Sequence, residues 1–516
     1  MNFAHFLEMY ARASPEAPAL VDRRCRLSFS ELDDLAGRFA QYLTDEGLRP
    51  GDRIAICLPN RAEAVIAFLG AFKSGVVAVP LNWRLADADL ARLVIHCAPG
   101  CVLTTTQRAA ALARPNIPVL DVGEAVRAGS FWERMLAGKS AGTALPCQNS
   151  AIANLLYTSG TTSFPKAAIH THGMRVSIAA AMADSFRLSS ADVALAISPL
   201  FHTGGFSVFS NAIFSGCKLV LLENWDVGDF LDAIESERVT FMHLITTIVV
   251  DITRADPGLF QRDMRSMRMT WGGGHAVDPE VFRLFERRIG GVFVLGYSRT
   301  EGGLTYNLPD PALRKFDANG YANHNSSQIA IYDPDNDTLV PSGTPGEIVV
   351  RGDGVSPGYW DGEYVRIRAP IDGGWQRTGD RGILDADGTL HFLWRYDDMI
   401  KTGGENVYPS EVEKVLLALP YIKDAVVLGI PDNRLGQRVA AVVVTSDPSI
   451  LADQIDKACR AALPGFKIPR AVSIVEALPR LGTQKVDIAA CRRILESGVK
   501  EHGAGAATPA SPAQHN

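Results

Sequence analysis

The sequence predicts an α/β protein. It reads as a large N-terminal domain of two helix-flanked, mostly parallel β-sheets plus a small β subdomain, followed by a small α+β C-terminal domain. Three observations predict this. Short β-rich runs alternate with helical patterns through the first part of the chain, which is the mark of βαβ units on a parallel sheet. From about residue 317 the texture becomes turn-rich, and after Arg395 helical and strand patterns mix at shorter spacing.

Taken in order, residues 54–58 (IAICL), 76–81 (VVAVPL) and 101–106 (CVLTTT) are apolar strand runs, separated by helical patterns at 62–73 and 85–97. The rhythm resumes at 193–197 (VALAI), 218–222 (KLVLL), the helix DVGDFLDAIESERV, 240–245 (TFMHLI), 268–271 and 292–296. Two α/β layers of comparable size follow from this. In DPDNDTLVPSGTPGEIVVRGDG, Asp, Asn, Gly and Pro punctuate short β runs, as in a compact β subdomain over about 317–394. Beyond it, 411–419 and 451–463 read as helices, and 425–430, 438–444 and 472–476 as strands. The last stretch, HGAGAATPASPAQHN, has little to bury and reads as a disordered tail from 503 to 516.

Composition narrows the function classes. The 516 residues are too many for one simple module at roughly 100 to 200 residues per domain. Apolar residues make up 47% and charged residues 21%, enough to build large cores. The 51 Lys plus Arg against 57 Asp plus Glu leave no broad basic footprint, so nucleic acid is not expected as a partner. No run of 18 apolar residues occurs, and Glu8 interrupts the apolar start. A cytoplasmic protein without integral membrane association is the expectation. The eight cysteines are scattered without a disulfide framework, and His96, Cys97 and Cys101 lack a second ligand pair at zinc spacing.

The most informative segment is Tyr157 to Lys166, YTSGTTSFPK, following the apolar run 152–156 as a loop follows a strand. Its hydroxyls and backbone N–H groups could cradle phosphate oxygens, with Lys166 adding charge. It is not a Walker A loop. Read alone, a Ser/Thr turn explains it as well.

This loop resembles the signature [ST]SG[ST]TGxPK of the adenylate-forming enzymes, which comprise acyl-CoA synthetases, luciferases and carrier-protein adenylation domains. Thr158 to Lys166 matches everywhere except Ser163, where glycine is usual. Further motifs of that family occur in its order from about 150 to 490. PLFHTG (199–204) is similar to PLFHxxG, GGGH (272–275) stands at the glycine-rich strand end, and YSRTE (297–301) resembles YGxTE. WQRTGD (375–380) is similar to GWxxTGD, and RYDDMIKTGGENVYPSEVE (395–413) resembles the hinge block, with Trp394 where glycine is usual. LPRLGTQK (478–485) stands against LPRTxxGK, with Gln484 replacing a glycine.

The resemblance implies roles residue by residue. Thr158, Ser159, Gly160, Thr161, Thr162 and Lys166 would cradle the phosphates of ATP. Gly273, Gly274, His275, Tyr297 and Ser298 would meet adenine, and Asp380 and Arg395 the ribose. Thr300 and Lys485 would act on the α-phosphate, and Glu301 with Thr158 would hold Mg²⁺, a hard cation that wants oxygen ligands. His202 would guard the acyl entrance. Phe201, Phe206, His243, Thr247, Leu295, Arg299 and Leu304 would line the acyl pocket, Arg299 either reading a second substrate carboxylate or forming a salt bridge. Gly403 and Gly404 would pass the pantetheine arm of coenzyme A.

The same resemblance implies an N-terminal adenylation domain over 1–395, a hinge at 396–397 with Asp397 as pivot, and a mobile C-terminal domain over 398–502. The implied activity is an ATP-dependent acyl-CoA synthetase. It activates a carboxylic acid, medium-chain fatty or aryl, as acyl-AMP with release of pyrophosphate, then transfers the acyl group to coenzyme A. Small-molecule partners are implied, and a homodimer is allowed. A ligase loading a carrier protein, a luciferase-like oxidase, and an inactive nucleotide-binding relative suggested by Ser163, Ser298 and Gln484 stay open at this level.

Overall fold

The computed structural model describes residues 1–125, 127–158, 164–274, 279–307, 310, 314–316, 318–322, 325–362, 365–367, 371–481 and 486–502. The chain divides into two compact units: Met1–Thr378 with Gly382–Phe392, and Gly379–Arg381 with Leu393 onward.

In the first unit the described residues form two large sheets. One runs, in spatial order, Val365–Ile367, Gly358–Trp360, Ala167–Thr171, Ile152–Tyr157, Val77–Pro80, Arg53–Cys57, Cys101–Thr105 and Val119–Val122. The other runs from Tyr321–Ala322 through Thr305–Tyr306, Val292–Tyr297, Met269–Gly273, Phe241–Ile245, Val193–Ala196 and Lys218–Leu221 to Pro18–Val21 and Arg26–Ser28. Their central strands pair in parallel. The strands expected from the sequence all form, shifted by one to three residues at their ends, where such boundaries are softest.

Burial explains why these runs are strands. Residues 54–57 and the strand Val77–Pro80 are apolar and buried because helices cover both faces. The helix Ala62–Ser74 is buried along its whole length, so it lacks a polar face and belongs to the interior. It packs against the helix Phe29–Asp45, whose start is closed by a capping box between Ser28 and Glu31. Phe39, Phe68, Phe72, Phe206 and Phe209 fill the core between the layers. The β-rich segment places Gln328–Asp333 antiparallel to Gly346–Arg351 over a core of Ile329, Ile331, Ile348 and Val350.

The second unit pairs Ile422–Asp432 antiparallel with Gly436–Thr445, and Ala471–Val475 joins in parallel. The helices Pro409–Leu417 and Ala452–Ala462 bury Val412, Leu416, Ile455 and Cys459 against it. No helix among the described residues is long and apolar enough to cross a membrane.

Candidate active site

The phosphate-loop motif connects two antiparallel neighbours, Ile152–Tyr157 and Ala167–Thr171. Its two ends are tied together: Thr158 N–H donates to the Lys166 carbonyl at 2.8 Å, and Lys166 N–H to Thr158 Oγ1 at 3.2 Å. Ser159, Gly160, Thr161, Thr162 and Ser163 lie outside the described residues. Behind the loop, Tyr157 OH and His96 Nδ1 share a hydrogen bond of 2.8 Å. Burial holds the His96 pKa down and the Tyr157 pKa up, so the pair stays neutral near pH 7.

The turn after Val292–Tyr297 is held from several sides. His170 Nε2–H donates to the Thr300 carbonyl at 2.7 Å, and Ser356 N–H to the Glu301 carbonyl at 2.8 Å. The Glu301 carboxylate accepts a hydrogen bond from Tyr359 OH on one oxygen and pairs with Arg299 at 3.4 Å on the other. Lys166 Nζ stands 5.4 Å over the Tyr359 ring, so Tyr359 links the phosphate loop to Glu301. Gly302 has φ +94°, and a Cβ there would lie 2.1 Å from the Gly354 carbonyl oxygen, which is why glycine is required. Of the two roles open to Arg299, the salt bridge is the one present, and both side chains are about nine-tenths buried.

Tyr297 is buried with the apolar side chains of the β subdomain, its ring 6.0 Å from that of Phe392. Ser298 is exposed. Gly273 and Gly274 close the strand Met269–Gly273, while His275 lies outside the described residues.

His202 is the N-terminal flank of the helix Thr203–Ser215, its ring 4.7 Å from that of Phe201. The approach to it is pinned by Asn60, whose Nδ2–H groups reach the Ala196 and Ser198 carbonyls and whose Oδ1 accepts from Leu200 N–H. His243 is buried, hydrogen-bonded to Ser198 Oγ at 2.9 Å and 4.4 Å from the Trp271 ring. The seven pocket candidates do not all converge. Phe206 is fully buried against Phe68 and Phe209. Leu295 packs into the core on the other face of its sheet from His243, because strand side chains alternate between faces. Thr247 is buried on the helix Thr246–Arg254, and Leu304 belongs to the core between the layers.

In the second unit Asp380 is 3% exposed and bound by Arg395 Nε at 3.1 Å. Asp397 lies in the 3-10 turn Tyr396–Asp398. Trp394, where glycine is usual, stacks on Tyr408 with ring centroids 3.6 Å apart. Gly403 and Gly404 form the left-handed turn between Ile400–Thr402 and Glu405–Val407, with φ +60° and +89°. Lys485 and Gln484 lie outside the described residues.

A family model described as "AMP-binding enzyme" matches residues 7–360, and "AMP-binding enzyme C-terminal domain" matches 411–485. The chain belongs to the AMP-binding enzymes. The long-chain-fatty-acid–CoA ligase FadD13 of Mycobacterium tuberculosis is 31% identical over 94% of this chain and 97% of its own. Feruloyl-CoA synthase of Amycolatopsis is 32% identical over 92% and 95%. Among solved structures, ATP-bound MatB from Rhodopseudomonas palustris has a TM-score of 0.86 at 28% identity, covering 96% of this chain and 99% of that one. This AMP-binding enzyme is an acid–thiol ligase of the AMP-forming kind, using ATP, Mg²⁺ and coenzyme A to turn a carboxylic acid into its adenylate and then its thioester.

Sequence reasoning missed His170, Tyr359, Asn60 and Trp271. His170 and Tyr359 stand 130 and 58 residues from the groups they hold, and no local pattern marks such a pairing. Trp271 alone carried a signal, a bulky aromatic directly before three glycines.

Proposed function

We propose that this ligase activates a medium-chain or aryl carboxylic acid, with the motif residues in the following roles. A carboxylate oxygen is a poor leaving group, so the acid attacks the α-phosphorus of ATP, pyrophosphate leaves, and the acyl group is carried on AMP. Negative charge builds on the α-phosphate oxygens during that attack, and donors aimed there are the main catalytic device. Thr300 and Lys485 supply them. Thr158, Lys166 and the loop residues between them hold the other phosphates. Tyr297, with Ser298, Gly273, Gly274 and His275, receives the adenine. Asp380 accepts from the ribose hydroxyls, two carboxylate oxygens suiting a vicinal diol, and Arg395 orients it.

Glu301 and Thr158 present the oxygen donors that a hard cation takes, and the residues therefore fit Mg²⁺. A Mg²⁺ ion held by these residues would supply neutralisation of phosphate charge. Tyr359 and Arg299 keep the Glu301 carboxylate in place. In the second half-reaction the coenzyme A thiolate attacks the acyl carbonyl and AMP leaves. Gly403 and Gly404 let the pantetheine arm run close to backbone, and Asp397 is the pivot between the half-reactions.

The observation that carries this reading is the linked set Thr158, Lys166, Tyr359, Glu301 and His170, which joins the phosphate loop to the turn bearing Thr300. A panel of fatty and aryl acids assayed for AMP and pyrophosphate, with and without coenzyme A, tests it. Coenzyme A-dependent AMP formation with a medium-chain or aryl acid is the expected result. Pyrophosphate release without thioester points to a carrier-protein acceptor, and no pyrophosphate with any acid sinks the reading.

A further inference from the structure

We infer that the acyl site takes a compact acid bearing a hydrogen-bond acceptor beyond its carboxylate, and that the indole N–H of Trp271 reads that acceptor. The inference rests on the acyl-CoA synthetase reading above and deepens it. Strand register supplies the direction. Trp271 stands opposite His243 on one neighbouring strand and Val294 on the other, so Gly296 lies two residues further toward the carboxyl ends of these parallel strands. A Cβ on Gly296 would sit 2.9 Å from Trp271 Nε1. The indole therefore leans along the sheet toward those ends, the edge where open α/β sheets bind their ligands. The same edge carries His202 and the turn with Thr300.

Trp271 is 2% exposed, and its Nε1 has no hydrogen-bond partner among the described residues. Buried indole N–H groups ordinarily find one. An indole N–H is a donor only, so the group that completes it is an acceptor. Trp271 lies 4.4 Å from the ring of His243, which in turn faces Gly204 beside His202, the side assigned to the acyl entrance, and this places that acceptor on the acid.

The size limit comes from two glycines facing two rings. A Cβ on Gly204 would lie 2.3 Å from His243 Cε1, just as one on Gly296 would meet Trp271. The rings fill the room that side chains at 204 and 296 would otherwise take, and a long alkyl chain directed along this face runs into them. A site that holds a buried donor rejects an isostere lacking the acceptor, because the donor is then left unpaired.

The test uses the full-length enzyme with ATP, Mg²⁺ and coenzyme A. It compares kcat/KM for hexanoate, 4-oxohexanoate, 5-oxohexanoate and dodecanoate, and for 4-methylbenzoate and 4-methoxybenzoate, in wild type and Trp271→Phe. At least one oxygen-bearing acid should exceed its plain counterpart by tenfold or more in wild type, dodecanoate should be the poorest alkanoate, and Trp271→Phe should lower that preference ratio at least fivefold. The wild-type comparison stands without the variant if Trp271→Phe fails to fold. Turnover of the plain acids with no preference for an oxygen in any pair, or a ratio unchanged in Trp271→Phe, overturns the inference while leaving the synthetase reading intact. No turnover of any acid removes both.

Discussion

The turn Tyr297–Gly303 in the first unit and the segment Arg395–Tyr408 in the second are both short motif blocks, yet they are held to different extents along their length. The first is fastened from far along the chain by His170, Ser356 and Tyr359, with its ion pair largely buried. The second divides: its start is held by Asp380 and Arg381, 15 residues before Arg395 and Tyr396, while further on Lys401 N–H donates to Gln437 Oε1 and Gly403 N–H to the Leu435 carbonyl, both at 2.9 Å, and a Cβ on Gly404 would meet nothing within 4 Å. The difference teaches a division of labour. Groups that stabilise developing charge have to keep one geometry, whereas a turn such as Tyr396–Asp398, whose flanking residues are tied closer along the chain, changes its dihedrals at lower cost. This supports giving the turn to adenylation and the second segment to the passage between half-reactions.

The largest effect that could break the comparison comes from Lys485→Ala. If this lysine serves the α-phosphate alone, pyrophosphate release falls about 10²- to 10³-fold, the usual loss for one such donor. Thioester formation from supplied acyl-adenylate is retained. Equal losses in both assays would show that the half-reactions do not divide along these residues.

Asp397→Pro comes next. Proline locks φ near −65°, and a pivot has to change its backbone dihedrals. We expect pyrophosphate release to persist while overall thioester production drops by about tenfold or more. Unchanged turnover would take the pivot role from Asp397.

A smaller effect tests the fastening of the first turn. Gly302→Ala places a Cβ against the Gly354 carbonyl at positive φ, which should cost about 1 to 3 kcal/mol. The denaturation midpoint reports it, and a midpoint equal to wild type would show that the turn yields.

The smallest effect belongs to the second unit. Glu413 accepts a hydrogen bond from Val427 N–H at 2.9 Å. Burial, helped by the nearby Asp398 and Asp424, pushes its pKa from 4.5 up to about 7. The native state then binds more protons than the unfolded chain across that window, so stability falls as pH rises from 4.5 to about 7 and stays low above it. Glu413→Gln should flatten this slope in chemical denaturation run at several pH values, and an unaltered slope would assign the titration elsewhere.

The sequence by itself determined the parallel α/β layers, the turn-rich β segment and the α+β unit, because strand periodicity, helix patterning and turn chemistry act over a few residues. It also determined the order of the motifs, each a contiguous string such as YTSGTTSFPK or KTGGENVYP. Only the tertiary structure decided which residues serve them. It put Tyr359 between Lys166 and Glu301, His170 on the Thr300 carbonyl, Arg299 in an ion pair, and Leu295 on the far face of the sheet from His243. Apart from the Arg299–Glu301 pair, two residues apart, such relations join residues tens to more than a hundred positions apart. They are set by how the strands pair and which face each side chain takes, and a linear pattern holds no record of that.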